Sequence, residues 1–190
     1  PADLASIDML RVQSLGITDI SALAGCTKLT LTHLNNNQIS DLTPLAGLSR
    51  LINSNLARNQ ISDLTPLSER LSMVSLGLGQ NKITDVVPLA KLIHLAELRL
   101  NDNQITDLTP LARLTKLRLL VLTHNQITDL SPLAGLTKLN ELHLSRNPIT
   151  DFAPLAKLTN LTELSLKEIQ ITDAQKDMLR KALPKCEIAF

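Results

Sequence analysis

Apolar residues recur along this chain with a period of 22 residues. Laid out in rows of that length, one column reads Ile7, Leu29, Leu51, Met73, Leu95, Leu117, Leu139, Leu161, and a second reads Val12, Leu34, Leu56, Leu78, Leu100, Leu122, Leu144, Leu166. A third column is polar in its middle and apolar at its ends: Leu15, Asn37, Asn59, Asn81, Asn103, Asn125, Asn147, Ile169. The spacing is L-x-x-L-x-L-x-x-N-x-I, and a sustained period of this length marks an array of stacked units closed by atypical ends. Within each unit the alternation seen in "LRLN" at 98–101 predicts a short strand, with Leu98 and Leu100 inward and Arg99 outward. One strand cannot bury its apolar side alone, so successive strands must stack into a parallel sheet.

The rest of each unit follows from the same columns. After the strand the chain turns, and the Asn carboxamide supplies donors and an acceptor for backbone groups that the turn would otherwise leave buried and unpaired. Asp41, Asp63, Asp85, Asp107, Asp129 and Asp151 each precede a proline by three residues, the arrangement that starts a short helical or 3₁₀ turn. Leucines such as Leu108, Leu111 and Leu114 then pack inward from the convex side. The final segment, "ITDAQKDMLRKALPKCEIAF", breaks the period. Asp173 is read there as the cap of a helix from about Ala174 to Leu183, ended by Pro184 and closing the apolar end of the stack.

These residues resemble the leucine-rich-repeat family, specifically the bacterial class with 22-residue units typified by internalins, whose phrase "NQISDLTPLAGL" stands at residues 37–48 and in part at 59–67. The resemblance covers nearly the whole chain. It implies an α/β repeat solenoid, a right-handed coil with a parallel concave β-sheet, short 3₁₀ or helical turns on the convex side and a C-terminal capping helix. Residues 1–190 are read as a single leucine-rich-repeat domain, with repeats over about 7–172 and the cap over about 173–190. The family implies a protein-binding module. Internalins usually continue into further domains, so their host-cell adhesion role is not carried over.

Composition narrows the function further. With a formal net charge of +1 and well-mixed charges, no basic stripe points to nucleic acid. Apolar runs are too short for a membrane span, and "PADLASIDML" lacks the basic start and apolar centre of a signal peptide. A bacterial protein, cytoplasmic or exported, fits equally, since a chain starting at Pro1 is compatible with processing. Cys26 and Cys186 lie about seven repeats apart, roughly 30 Å in a stack of strands, too far for a disulfide.

Catalytic chemistry finds little support. His33, His94, His124 and His143 are dispersed without a triad arrangement, and no phosphate loop, cofactor motif or metal-ligand cluster is legible. The Asp column is read as capping rather than as a calcium ladder, because calcium needs several oxygens converging on one point. Only Glu97, Glu141, His143 and Glu163 approach one another on the concave side, which leaves a hydrolase as a remote alternative.

Recognition is the remaining class. The outward strand columns vary while the inward ones do not, and over the fifth to seventh units they offer Leu119 and Val121 flanked by Glu97 and Arg99 on one side and Glu141 and His143 on the other. An apolar centre with a charged rim is the usual organisation of a protein-binding patch. No Trp or Tyr is present, so the aromatic anchors of tight interfaces are missing, and a structural or engineered scaffold without a dedicated partner is the alternative. The first strand, around Leu10 and Val12, has no preceding cap and is expected to support weak edge-to-edge self-association through residues 1–20.

Several units depart from the pattern. Thr32 and Ser54 replace inward leucines, Arg70 replaces a leucine of the return segment, and Gly77 and Gly79 fall in or near a strand. The first half is therefore expected to be the looser half. Drift compensated by neighbours is one reading of the glycines, and a place where something approaches the backbone closely is the other.

Overall fold

A computed structural model describes residues 6–190. Nine three-residue strands form one parallel sheet in sequential order: β1 (Met9–Arg11), β2 (Leu31–His33), β3 (Asn53–Asn55), β4 (Ser75–Gly77), β5 (Glu97–Arg99), β6 (Leu119–Val121), β7 (Glu141–His143), β8 (Glu163–Ser165) and β9 (Glu187–Ala189). From β1 to β8 the register step is the sequence period itself, as in Leu98 opposite Leu120 and Arg99 opposite Val121. Each column of the sequence is therefore a continuous row across the sheet. Short 3₁₀ turns, such as Thr109–Leu111, line the opposite side, and the leucine columns between the two sides form one fully buried core.

The corner of every central coil is built by its asparagine. Asn103 Oδ1 accepts from the Ile83 N–H of the preceding coil at 3.0 Å, while Nδ2 donates to the carbonyls of Leu78 at 3.1 Å and Leu100 at 3.0 Å. Asn37, Asn59, Asn81, Asn125 and Asn147 repeat the pattern. One amide thus serves two coils, which ties each unit to its neighbour with hydrogen bonds that are sheltered from water. The residue just before each asparagine adopts the left-handed conformation, with Arg58, Gln80, Asp102, His124 and Arg146 all at φ between 55° and 57°. That conformation is costly for a non-glycine residue, and the satisfied corner holds it in place.

The aspartates lie two residues ahead of each turn, so they bond its first N–H, while the cap position itself is the residue between, Leu108 in the case of Asp107. Asp107 Oδ1 accepts from Thr109 N–H at 2.8 Å, and Asp41, Asp63, Asp85, Asp129 and Asp151 do the same for the residue two positions on. Bonds from Thr109 hold the Asp107 carboxyl below its ordinary range, side-chain hydroxyl first and backbone second. Leu108, Leu111 and Leu114 are buried as expected.

The C-terminal segment requires one correction and adds one strand. The helix α1 spans Asp173–Ala182, and its cap is Thr172 rather than Asp173: the Thr172 hydroxyl accepts from Gln175 N–H, and Gln175 Oε1 accepts from Thr172 N–H. Thr172 has the extended backbone that a cap requires, whereas Asp173 is already helical. Beyond Pro184 the chain returns to the sheet. It forms β9, a ninth strand paired with β8, in which Glu163 faces Glu187 after a step of 24 residues rather than 22. Substituting a helix for the 3₁₀ turn lengthens the last coil by two residues and lets Leu179 and Leu183 cover the end of the core.

The departures in the early units resolve differently from one another. Thr32 and Ser54 are buried side by side, their hydroxyls hydrogen-bonded at 2.8 Å. Arg70 is also buried, 8% exposed, but its Nε and Nη1 have no hydrogen-bond partner. Gly77 and Gly79 make room for asparagines on the neighbouring strands. A Cβ at Gly79 would lie 2.9 Å from Asn101 Cγ, and one at Gly77 would lie 3.1 Å from Asn55 Oδ1. The close approach is made from within the sheet. Cys26 and Cys186 are both free thiols.

Candidate functional site on the concave sheet

Outward positions of the strands form the concave surface, because alternation sends the central residue of each strand into the core. Leu98, Leu120 and Leu142 are fully buried, which leaves Glu97, Leu119 and Glu141 in one outward row and Arg99, Val121 and His143 in the next. The six residues singled out in the sequence are thus brought together on three adjacent strands. Glu97 and Arg99 pair with each other at 3.0 Å, and Glu97 also accepts from the Ser75 hydroxyl at 3.2 Å. Leu119 and Val121 are half-buried between their charged neighbours rather than fully exposed.

A depression of about 600 Å³ borders the patch on the side where the chain enters the strands, lined among others by Glu97, Leu119, Glu141, Lys116, Arg118 and Lys138. Lys116 donates to Nδ1 of His94 at 2.8 Å. Basic side chains therefore flank the patch along one margin. Toward the C-terminal end the surface turns acidic, with Glu141, Glu163 and Glu187 opposite one another on β7, β8 and β9. Burial, reinforced by the charges of Glu163 and Glu187, pushes the Cys186 thiol up.

The histidines have separate surroundings. His124 lies at the corner, its Nδ1 2.8 Å from Asp102 Oδ1. Burial alone would raise the Asp102 carboxyl, but hydrogen bonds from His124 and Asn101 outweigh it and hold that carboxyl below its ordinary value. His143 Nε2 sits 3.8 Å from Glu163. His143 is also paired across the sheet with Ser165 of β8.

Four further apolar side chains are exposed ahead of the strands, where the sequence pattern gave no expectation of them. Ile52, Leu71, Val74 and Ile93 are 39%, 47%, 38% and 48% exposed. Ile52 and Val74 share one column just before the strands, with Val74 N–H donating to Ile52 C=O at 2.8 Å, and Leu71 and Ile93 share another. The signal for them is in the columns: elsewhere the Leu71 column holds Ala5, Thr27, Ser49, Thr115, Thr137 and Thr159.

Comparison with known proteins agrees with this geometry. A family model of leucine-rich repeats in two copies matches residues 71–113, 115–157 and 137–181. An internalin of Listeria monocytogenes, inlF, superposes with a TM-score of 0.92 at 38% identity over 97% of this chain, which spans 54% of that protein's chain. Internalin C2 of the same organism superposes with a TM-score of 0.91 at 39% identity, over 99% of this chain and 83% of its own. A plant relative in fold alone, at 21% identity and a TM-score of 0.77 over 95% of this chain and 23% of its own, is the leucine-rich-repeat ectodomain of an Arabidopsis thaliana receptor kinase, solved in complex with Casparian strip integrity factor 2. No curated protein matches the chain. The period, the asparagine corners, the parallel sheet and the likeness to the two Listeria proteins lead to one conclusion: the chain belongs to the leucine-rich-repeat family, in its bacterial internalin-like class.

Proposed function

We propose that the chain is a non-enzymatic protein-binding module that takes a protein partner on its concave face over β5 to β7. The observation that carries this reading is the register of that face, which sets Leu119 between Glu97 and Glu141 and Val121 between Arg99 and His143. A half-buried apolar pair loses its remaining water when a partner docks, while the charged residues around it fix the orientation. The plant ectodomain of the same fold, with its bound integrity factor, supports the general mode without bearing on the partner's identity.

Val121→Arg tests the site. Its side chain points outward from the sheet, so thermal stability stays close to that of the parent, while partner capture from the native source falls at least about tenfold, the scale of an interface hot spot. Thr109→Arg, on an exposed convex turn, leaves capture intact. Undiminished capture by the Val121 variant would move the site elsewhere.

A second contact is proposed at the N-terminal edge. Among the described residues β1 is paired on one side only, and Met9 and Leu15 near it are 54% and 66% exposed. Of the segment 1–20 expected to self-associate, positions 1–5 lie outside the described residues. Weak self-association there predicts a sedimentation coefficient that rises with concentration, and a constant monomer mass up to millimolar protein would refute it.

A further inference from the structure

We propose that Glu141, His143 and Glu163 form a binding site for a divalent transition-metal cation, with zinc the best fit. One carboxylate oxygen from each glutamate and one imidazole nitrogen lie within 4.8 Å of one another. The parallel register produces this convergence, because it sets Glu141 directly opposite Glu163 and places His143 on the same face two residues along β7. Tetrahedral zinc with bonds of about 2.0–2.2 Å spaces its ligands roughly 3.3 Å apart. His143 Nε2 and Glu163 are at 3.8 Å and the whole set lies within 4.8 Å, so side-chain rotations that bring the atoms closer by up to about 1.5 Å complete the ligand triangle.

The surroundings favour a cation over an internal pair. Elsewhere on the surface the carboxylates of Glu69, Glu97, Glu168, Asp173 and Asp177 each hold a lysine or arginine within ion-pair distance. Among the described residues Glu141 and Glu163 hold no lysine or arginine within that distance, Glu163 having His143 at 3.8 Å, and they face each other across the sheet with Glu187 extending the row on β9. Like charges directly opposite one another on neighbouring strands repel, and a bound cation removes that penalty. The donor set selects the ion: an imidazole nitrogen with two carboxylates suits zinc or a neighbouring transition metal, whereas calcium requires six to eight oxygens and magnesium near-octahedral oxygen geometry. Three protein ligands leave a fourth position open toward the concave side. Two of the ligands belong to the proposed docking patch, but the inference stands without that reading and is tested without a partner.

Calorimetric titration of untagged protein with zinc chloride, in a buffer that does not chelate metal, provides the test. One zinc per chain is expected, with a dissociation constant on the order of micromolar and a rise in melting temperature. His143→Gln and Glu163→Gln, both on the surface and expected to fold, each weaken zinc binding by about tenfold or more. Cys186→Ser and Glu69→Gln leave it unchanged, and calcium or magnesium chloride gives no comparable heat. Absence of saturable zinc binding below about 1 mM, retention of affinity in both ligand variants, or loss of binding in Cys186→Ser overturns the assignment.

Discussion

The asparagine corner and the return segment around Arg70 present the same problem, a polar side chain inside a stack of apolar coils, and reach opposite solutions. At Asn103 the amide meets an N–H from the coil before it and carbonyls from its own coil and the one before, so the buried group and the buried backbone satisfy one another. At Arg70 a guanidinium occupies the column of Leu48, Leu92 and Leu114, and two of its nitrogens meet nothing. Between these extremes stand Thr32 and Ser54, which depart from the leucine pattern together and answer each other. Burial of a polar group is thus decided less by its polarity than by whether the repeat places a partner opposite it.

The largest effect is expected at the corner. Asn103→Ala leaves the Ile83 N–H and the Leu78 and Leu100 carbonyls buried and unanswered, a loss of about 3 kcal/mol. Asp102→Ala loses side-chain bonds at the rim to His124 and Asn101 and puts alanine at a left-handed position, together about 1–2 kcal/mol. Thermal denaturation reads both, at roughly 2–4 °C per kcal/mol for a chain of this size. Equal losses would break the comparison by showing that the corner amide is no more than a surface contact.

Arg70→Leu carries the opposite sign. It restores the leucine column and removes two buried N–H-bearing nitrogens that lack partners, and a gain of about 2 kcal/mol is expected, since a buried donor left unsatisfied costs about 1–3 kcal/mol. Measured against Asn103→Ala, a stabilising substitution of one buried polar residue and a destabilising substitution of another sharpen the contrast. A lower melting temperature for Arg70→Leu would mean that the guanidinium is satisfied after all.

The smallest effect tests the intermediate case. Thr32→Val strands the Ser54 hydroxyl and costs about 1 kcal/mol, while adding Ser54→Ala recovers most of that loss because both partners then become apolar. A double-mutant cycle reports the coupling directly. Additive losses would show that the two hydroxyls do not depend on each other.

Much of this architecture is legible in the amino-acid sequence. Strand positions, the inward leucines, the Asn corners and the Asp-led turns all follow from one period, because each column faces the same environment in every coil. The grouping of Glu97, Arg99, Leu119, Val121, Glu141 and His143 on one face is legible for the same reason, since alternation fixes which residues point outward. Less regular places are harder. "EIA" at 187–189 is too short to signal a strand and follows a helical pattern that breaks the period, so β9 has no counterpart among the expected strands. Thr172 and Asp173 are both acceptable caps by residue type, and the choice between them depends on backbone angles. The exposure of Ile52, Leu71, Val74 and Ile93 is set by how the coils pack, which their apolar character alone does not reveal.

By itself, then, the sequence determined the repeat and the face each strand residue takes, because period and alternation are properties of the chain alone. Tertiary structure decided which departures from the pattern are answered. The Thr32–Ser54 bond, the unpaired nitrogens of Arg70, the asparagines that fill the space beside Gly77 and Gly79, and the convergence of Glu141, His143 and Glu163 all depend on side chains from different coils reaching one point. A column fixes which residues are neighbours across the sheet, but hydrogen bonds and metal coordination form only over distances of about 2–3 Å, and placement on that scale is set by packing.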